Sequence, residues 1–203
     1  VTSPFITGGY ISAPLGPGLK QKVLAVEGVT VAAGQERKEI AFGDGTVLLD
    51  GYDAEFFAGP QLRDWLLGPD VLDGAVESVR RGAAVFVTQA LAKRNGLHPG
   101  SIVQLTSPTG TWTYQVAAIS GTDPSPVIIM ARDEYMAKWN DDKITWLFVN
   151  IREGDSVEAV SGRLQKDLQS DFRVRIQTCG DLVRYFASQV REGFQLLYIM
   201  DGV

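Results

Sequence analysis

The spacing of apolar residues along the chain predicts a succession of strands and helices. After an opening strand and turn over residues 1–18, alternating or continuous apolar runs indicate strands at 29–34, 38–43, 46–53, 83–87, 101–106, 111–119, 127–130, 144–151 and 172–177. Apolar residues three or four positions apart indicate helices at 19–26, 54–67, 89–95, 132–139, 157–168 and 181–200. From residue 127 onward the order is β-α-β-α-β-α, so we expect an α+β fold built in layers.

Glycine, proline and capping residues indicate where several elements begin and end. Pro17 suits the start of the first helix, where a missing N–H costs nothing. The run from Gly43 to Gly45 predicts a hairpin, because such turns need positive φ. Thr88 and Gly96 suit the N-cap and the left-handed C-cap of the helix between them. Residues 68–82 predict a loop with a single helical turn.

The last third of the chain has the clearest pattern. Residues 144–151 are apolar on both faces, which favours a central strand covered on both sides. Asp155 with Glu158 resembles a capping box for the helix that follows. Thr178 and Asp181 mark the start of the final helix, which would be roughly 30 Å long at 1.5 Å per residue.

Composition limits the classes of protein to which the chain can belong. The 203 residues, 45% hydrophobic and 21% charged, suffice for one larger domain or two small ones with a true core. A formal net charge of -5 argues against a nucleic-acid binder. No apolar run reaches the length of a membrane span, and no signal peptide is present. The chain starts without Met and stops just after an apolar helix, so we expect a piece of a longer protein.

Few residues offer catalytic chemistry. His98 is the only histidine and lies in a turn. It would be either a general base or a solvent-exposed loop residue without a catalytic role. Cys179 precedes the last helix, whose dipole could lower a thiol pKa, although a structural cysteine is the alternative. The sequence contains neither a serine-hydrolase elbow nor a phosphate-binding glycine loop. We therefore predict no catalytic, cofactor-binding or metal-binding residue, and no cofactor.

Two acidic groups are possible cation ligands, with turns as the alternative. Residues 140–143 contain two adjacent aspartates and would either bind calcium or make a solvated turn. The ligand spacing of an EF-hand is absent, which favours the turn. Asp50, Asp53 and Glu55 flank a strand end, where they would coordinate a cation or shape a turn.

Other side chains raise the possibility of binding surfaces. An aromatic group would either contact an apolar ligand or fill a small core, and it comprises Phe56, Phe57 and Trp65. Arg184 and Arg191 share one face of the last helix, where they would pair with Asp181 or Glu192, meet a partner, or be solvated.

Several of these segments together resemble the FtsX-like ABC transporter permeases, the family that includes the MacB-type mechanotransmission proteins. In that family a strand leads into a short helix and a glycine before the next strand, and the residues that match are Leu91, Ala92, Gly96, Leu97 and Gly100. A second family motif follows a strand, and its matches are Gly51, Asp53, Phe56 and Phe57. Ala118 departs from the family, which usually has glycine there. The resemblance covers most of residues 20–200.

The resemblance implies an architecture and a place in the cell. It implies a porter-like α/β lobe formed by residues 1–51 and 127–203, with a smaller β-rich lobe inserted at 52–126. Such a domain lies on the periplasmic or extracellular side of the cytoplasmic membrane, between the first two membrane helices of the permease, which would flank this fragment. Outside the membrane the negative charge is tolerated, since long translocated domains largely escape the positive-inside rule.

The resemblance also implies a mechanical function without catalysis by this piece. A cytoplasmic ABC ATPase, on a separate subunit or domain, would hydrolyse ATP, and a second permease copy or paralogue would complete a dimer. The helix at 181–200 would act as the lever that carries motion outward, to an extracytoplasmic partner protein where one exists. The alternative is an extracytoplasmic ligand-binding or sensing module, and a soluble enzyme fits least because no acid–base set is evident.

Overall fold

The computed structural model describes residues 1–3, 6–8, 11–59, 67, 71–121, 124–178 and 180–181. The strands in these ranges are β1 Ile6–Gly8, β2 Ile11–Ser12, β3 Val29–Phe42, β4 Gly45–Tyr52, β5 Ala84–Thr88, β6 Ile102–Ser107, β7 Gly110–Ser120, β8 Val127–Ala131 and β9 Trp146–Ile151. The helices are α1 Leu19–Leu24, α2 Ala54–Ala58, α3 Asp73–Arg80, α4 Gln89–Asn95, α5 Arg132–Trp139 and α6 Val157–Leu168. This mixture confirms the predicted combination of helices with a layered sheet.

Seven of the strands form one mixed sheet in the order β6-β7-β5-β8-β4-β3-β9. The β3–β4 hairpin closes where Phe42 pairs with Gly45, and Gly43 has φ 57, which confirms the predicted turn. β4 and β8 run parallel, as do β5 and β7, whereas β5 and β8 are antiparallel. The strands within 84–120 belong to the same sheet as those contributed by the two ends of the chain. The division into two lobes stays a prediction.

Side chains alternate between the two faces of this sheet and form three apolar clusters. One face carries a cluster under α4 and α5 and another under α1 and α6. The opposite face carries a cluster under α2 and α3, which includes Phe56 and Phe57. β8 shows the alternation well, since Ile128 faces the first cluster and Ile129 the opposite face. Burial of strand residues on both faces accounts for the continuous apolar run at 127–130.

β3 corrects the prediction of two short strands at 29–34 and 38–43. It is a single strand of 14 residues whose first half pairs with β9 and whose second half pairs with β4. The change of partner falls at Gln35, which is paired with both Tyr52 and Trp146. The polar residues there predicted a gap between two strands, but Gln35 and Glu36 are buried within one continuous strand.

β9 lies at one edge of the sheet, so the predicted central position is wrong. The strand is apolar on both faces because Leu147 packs under α1 and α6 while Phe148 packs on the opposite face. Residues 172–177 do not form the predicted strand beyond one bridge, between Arg175 and Thr2. Their inward side chains nevertheless pack against the cluster under α1 and α6, and they are Phe172, Val174 and Ile176.

Helix ends also differ in detail from the predictions. Residues 73–80 form the two-turn helix α3, where only one turn was expected. Ser156, not Asp155, is the N-cap of α6, and its Oγ accepts a bond from Ala159 N at 3.3 Å. Thr88 occupies the N-cap position of α4 without capping it, because its Oγ1 donates to Ser125 O at 2.6 Å and accepts from Val127 N at 3.0 Å. The left-handed cap at Gly96 is confirmed, with φ 64.

Candidate functional site

A cluster of charged side chains lies on one face of the sheet, between the apolar clusters on either side of it. Its position follows from the topology. The last residues of the parallel strands β4 and β8 are paired, Tyr52 with Ala131, so the residues that follow them emerge side by side. Those residues are Asp53 and Arg132, and α1 brings Lys20 to the same place.

Asp53 holds three elements together. Its Oδ2 accepts hydrogen bonds from Lys20 Nζ and from the Gly34 backbone N–H, each at 2.7 Å. Its Oδ1 accepts a bond from Arg132 Nη1 at 3.2 Å. Asp53 and Arg132 are both buried, at 8% exposure, so the pair is shielded from solvent. Burial lowers the pKa of Lys20, but Asp53 and Glu55 outweigh it, so the pKa lies above its usual value.

Arg132 extends the network into the loop that precedes β9. Its Nη2 donates to the backbone carbonyls of Asp142 and Lys143, the second at 3.1 Å. The loop leaves α5 through Asn140, which adopts the left-handed conformation at φ 50. Arg132 Nε is buried and has no hydrogen-bond partner among the residues described. One guanidinium therefore fixes the loop to the strand end that carries Asp53.

Glu36 is the most perturbed acid in this part of the fold. It is 5% exposed, and its Oε2 finds no hydrogen-bond partner within the described ranges. Burial, together with the negative charge of Asp141, raises the pKa of Glu36 to about 7. Lys143 and Arg132 act in the opposite direction and do not cancel the effect. The carboxyl of Glu36 therefore changes charge near neutral pH.

Asp141 is a carboxylate close to Glu36. Burial opposes ionisation of Asp141, but the backbone N–H and the charge of Lys143, with that of Lys38, hold its pKa below the usual value. The Tyr135 hydroxyl donates to Asp141 Oδ2 at 3.2 Å, and burial first and Asp141 second raise the pKa of that phenol. The cluster is thus built from ionised Asp141 beside a Glu36 that is protonated below neutrality.

A second polar group occupies the opposite face. Asp50 is 1% exposed and receives a bidentate pair from Arg37, from Nε at 2.8 Å and from Nη2 at 2.7 Å. Gln35 Nε2 also donates to Asp50, at 2.8 Å. These partners satisfy a buried carboxylate and account for the polar segment in the middle of β3.

A cleft of about 450 Å³ adjoins the charge cluster. The segment 15–21, at the start of α1, forms one wall, and the loop 142–144 with Leu147 forms another. Arg132 also lines the cleft. The lining combines apolar side chains with Lys20 and Arg132, which are both paired with Asp53, and the cleft has room for a small molecule.

The residues singled out in the sequence are mostly placed apart. Asp50 and Asp53 lie in different networks, and neither they nor residues 140–143 belong to a group suited to a metal ion in the chain as described. His98 is exposed in its turn, with Nδ1 3.0 Å from Pro99 O. Phe56 and Phe57 fill the core, as the alternative had it. Some residues lie outside the described ranges, namely Trp65, Cys179, Arg184, Arg191 and Glu192.

Sequence reasoning missed Glu36, Arg132 and Lys20. The signal for Glu36 was the polar run at 35–39 between two apolar segments, which predicted a break between strands. Arg132 and Lys20 carried no local signal, because their roles depend on contacts with Asp53, which is 79 and 33 residues away. The structure therefore supplies a charged cluster where the sequence offered separate turns.

Comparison with known proteins gives the fold a context. No protein-family model matches the chain. An uncharacterized ABC transporter permease protein, Rv0987, of Mycobacterium tuberculosis is 30% identical over 120 residues, which cover 58% of this chain. The chain spans about 13% of the length of that curated relative.

Two solved structures match most of the chain. The extracellular domain of the noncanonic ABC-type transporter YknZ, from Gram-positive bacteria, has a TM-score of 0.53 at 11% identity, over 82% of this chain and 91% of that one. The periplasmic region of MacB from Actinobacillus actinomycetemcomitans also has a TM-score of 0.53, at 13% identity, over 82% of this chain and 81% of that one. None of the helices described here is long and apolar enough to cross a membrane. The chain therefore has the fold of the extracytoplasmic domains of MacB- and YknZ-type ABC transporter permeases, as its resemblance to the FtsX-like family implied.

Proposed function

We propose that this chain is the extracytoplasmic domain of an ABC transporter permease, and that it transmits ATP-driven conformational change across the membrane for export or envelope work. The observation that carries the proposal is the match to extracellular and periplasmic transporter domains over 82% of the chain. In this proposal a cytoplasmic ABC ATPase, on a separate subunit or domain, hydrolyses ATP. The domain itself catalyses no reaction and works beside a second permease copy or a paralogue.

The arrangement of the chain segments supports a mechanical role. Thr2 and Arg175 exchange two backbone hydrogen bonds, at 2.9 and 2.7 Å, and Thr2 also bridges Trp146 in β9. The first residues and the segment before the predicted final helix are therefore bonded to each other at one edge of the sheet. A push or rotation delivered through either segment reaches the sheet through these backbone bonds.

The charge cluster supports the same role by resisting deformation. Asp53 links α1 to α5, and Arg132 links α5 to the loop before β9. These contacts join segments that are far apart in sequence, so motion of α1 carries the sheet and α5 with it. A transmitting element needs such packed connections, because interfaces and packed cores switch between discrete arrangements and do not deform gradually.

The final helix at 181–200 is the proposed lever. Its first turn is anchored by reciprocal bonds, from Thr178 N to Asp181 Oδ2 and from Asp181 N to Thr178 Oγ1, each at 3.0 Å. The rest of the lever lies outside the described residues. A proline inside a helix removes a backbone hydrogen bond and clashes with the preceding turn, at a cost of about 3 kcal/mol or more.

We therefore expect Val190→Pro to uncouple the domain from the ATPase. The assay uses the full-length permease with its ATPase and measures ATP hydrolysis together with ATP-dependent distance changes between probes on the domain. Hydrolysis should continue while the distance change is lost. Val190→Ala, which suits the predicted helix because alanine is a strong helix former, should behave as wild type. Normal coupling in a folded Val190→Pro protein would show that 181–200 is not the lever.

The cleft between α1 and α5 favours the alternative of a ligand-binding or sensing module. Its volume of about 450 Å³ is within the range of small-molecule sites. The two functions differ in the sequence that surrounds the domain. Four apolar spans of about 20 residues, one before and three after the domain, indicate a permease. A single span joined to a kinase or a coiled coil indicates a sensor.

A further inference from the structure

The two edges of the seven-stranded sheet differ in how they are covered. At the β9 edge, Leu147 N donates to Val1 O at 2.9 Å and Thr2 bridges Trp146, so the first residues lie along that strand. At the other edge, β6 pairs with β7 and with no further strand in the part of the chain that is described. One edge is thus protected by the chain itself, and the other is open as far as the described residues extend.

The open edge has none of the usual protections. Residues 95–122, which contain β6 and β7, include no Lys, Arg, Asp or Glu, although such residues form 21% of the chain. β6 contains no proline, and its pairing with β7 runs without a bulge from Ile102 to Ser107. Edge strands of natural proteins are commonly kept apart by charges, prolines or bulges. A regular, uncharged edge is suited to pairing with another strand.

The hydrogen-bond pattern shows which residues face outward. Val116 N donates to Ser101 O at 2.8 Å. Because hydrogen-bonded and non-hydrogen-bonded pairs alternate in an antiparallel ladder, the backbone N–H and C=O groups of the odd-numbered residues of β6 point toward β7. The residues whose backbone groups point away from β7 are Ile102, Gln104 and Thr106. All three side chains are exposed, and Ile102 is 60% exposed.

We propose that β6 pairs antiparallel with β6 of a second copy of this chain, about a two-fold axis at Gln104. Each copy carries a net charge of -5, so repulsion between two copies is smallest where the surfaces in contact are both uncharged. The edge is also self-complementary. With Gln104 opposite Gln104 of the second copy, amide meets amide, and Ile102 lies opposite Thr106 of the second copy, where methyl groups meet. This proposal does not depend on the proposed transport function.

Disulfide trapping of the 203-residue chain tests the pairing. The variants are made in a Cys179→Ser background, because Cys179 is the only native cysteine. In an antiparallel hydrogen-bonded pair the Cα atoms are about 5.5 Å apart, within the range that a disulfide bridges. Gln104→Cys should therefore give a covalent dimer under mild oxidation, with a yield that rises with chain concentration.

Thr113→Cys is the matched control. Thr113 is exposed and pairs with Gln104 on β7, one strand further in. In the proposed dimer the two Thr113 Cα atoms are about 15 Å apart, given strand spacings of about 4.8 Å, so they cannot form a disulfide without a large rearrangement. We expect dimer yields at least about tenfold higher for Gln104→Cys than for Thr113→Cys.

The register has its own test. A mixture of the Ile102→Cys and Thr106→Cys chains should give the mixed dimer in preference to either homodimer, because only the mixed pair is opposed across the two-fold axis. Equal yields for Gln104→Cys and Thr113→Cys would overturn the interface. A Thr106→Cys homodimer that exceeds the Gln104→Cys dimer would overturn the axis at Gln104. Failure in either case leaves the transport proposal to its own test with Val190→Pro.

Discussion

The protonation of Glu36 provides a quantitative test of how the charge cluster is built. Its pKa in the folded chain is about 7, against an ordinary value of 4.5, because burial and Asp141 disfavour the charged form. Between pH 4.5 and 7 the folded chain therefore keeps a proton on Glu36 that the unfolded chain has already released. The contribution of Glu36 to stability is fully present below pH 4.5 and is lost as pH rises to 7 and above. At about 1.4 kcal/mol per pKa unit, the total loss is about 3 kcal/mol.

Glu36→Gln removes this dependence, because the amide resembles the protonated carboxyl in shape and cannot ionise. The free energy of unfolding is measured by urea titration followed by tryptophan fluorescence at several pH values from 4 to about 8. The advantage of Glu36→Gln over wild type should grow by about 3 kcal/mol across this range. Glu39→Gln, at an exposed position of the same strand, should show no such growth. A constant difference between Glu36→Gln and wild type would refute the burial argument.

Two substitutions test the packing around the same cluster. Asp53→Ala leaves buried Arg132 without its carboxylate and should lower the free energy of unfolding by about 3 kcal/mol, whereas Glu55→Ala removes an exposed partner of Lys20 and should cost less than about 1 kcal/mol. Similar losses for both, measured by urea unfolding, would contradict the assigned role of Asp53. Gly51→Ala would place a Cβ 3.0 Å from Tyr135 Cβ and should cost about 1–3 kcal/mol, whereas Gly45→Ala, in the same strand, meets no atom within 4 Å. A Gly51→Ala chain with wild-type thermal stability would show that α5 is not seated against β4 as described.

The cluster also connects the fold to the proposed motion. Asp53 and Arg132 follow the ends of two parallel strands, and their contacts reach α1 on one side and the loop before β9 on the other. A displacement that pulls α1 or α5 away from Asp53 leaves a buried charge without its partner, and that cost favours movement of the domain as one body. Glu36 adds sensitivity to pH at the centre of the same network.

Local patterns in the sequence determined the elements whose residues favour that secondary structure by their own backbone conformation or by their apolar spacing. The β3–β4 hairpin follows from glycines that accept positive φ, and α5 follows from a spacing that holds from Arg132 to Trp139. The segment 127–130 is apolar throughout and is a strand buried on both faces, as predicted. The order of these segments also sufficed for the resemblance to FtsX-like permeases, which the solved structures confirm at the level of the fold.

Only the tertiary structure decided which distant residues meet. β9 has the composition of a central strand but lies at the edge of the sheet. Its residues are apolar because clusters on both faces of the sheet pack against it. Glu36 belongs to a polar run and is still buried within a strand, because Arg132, Tyr135 and Asp141 come from other elements to surround it. Periodicity reports which face of an element is buried, whereas the partner of a buried charge depends on chain segments that the local pattern does not contain.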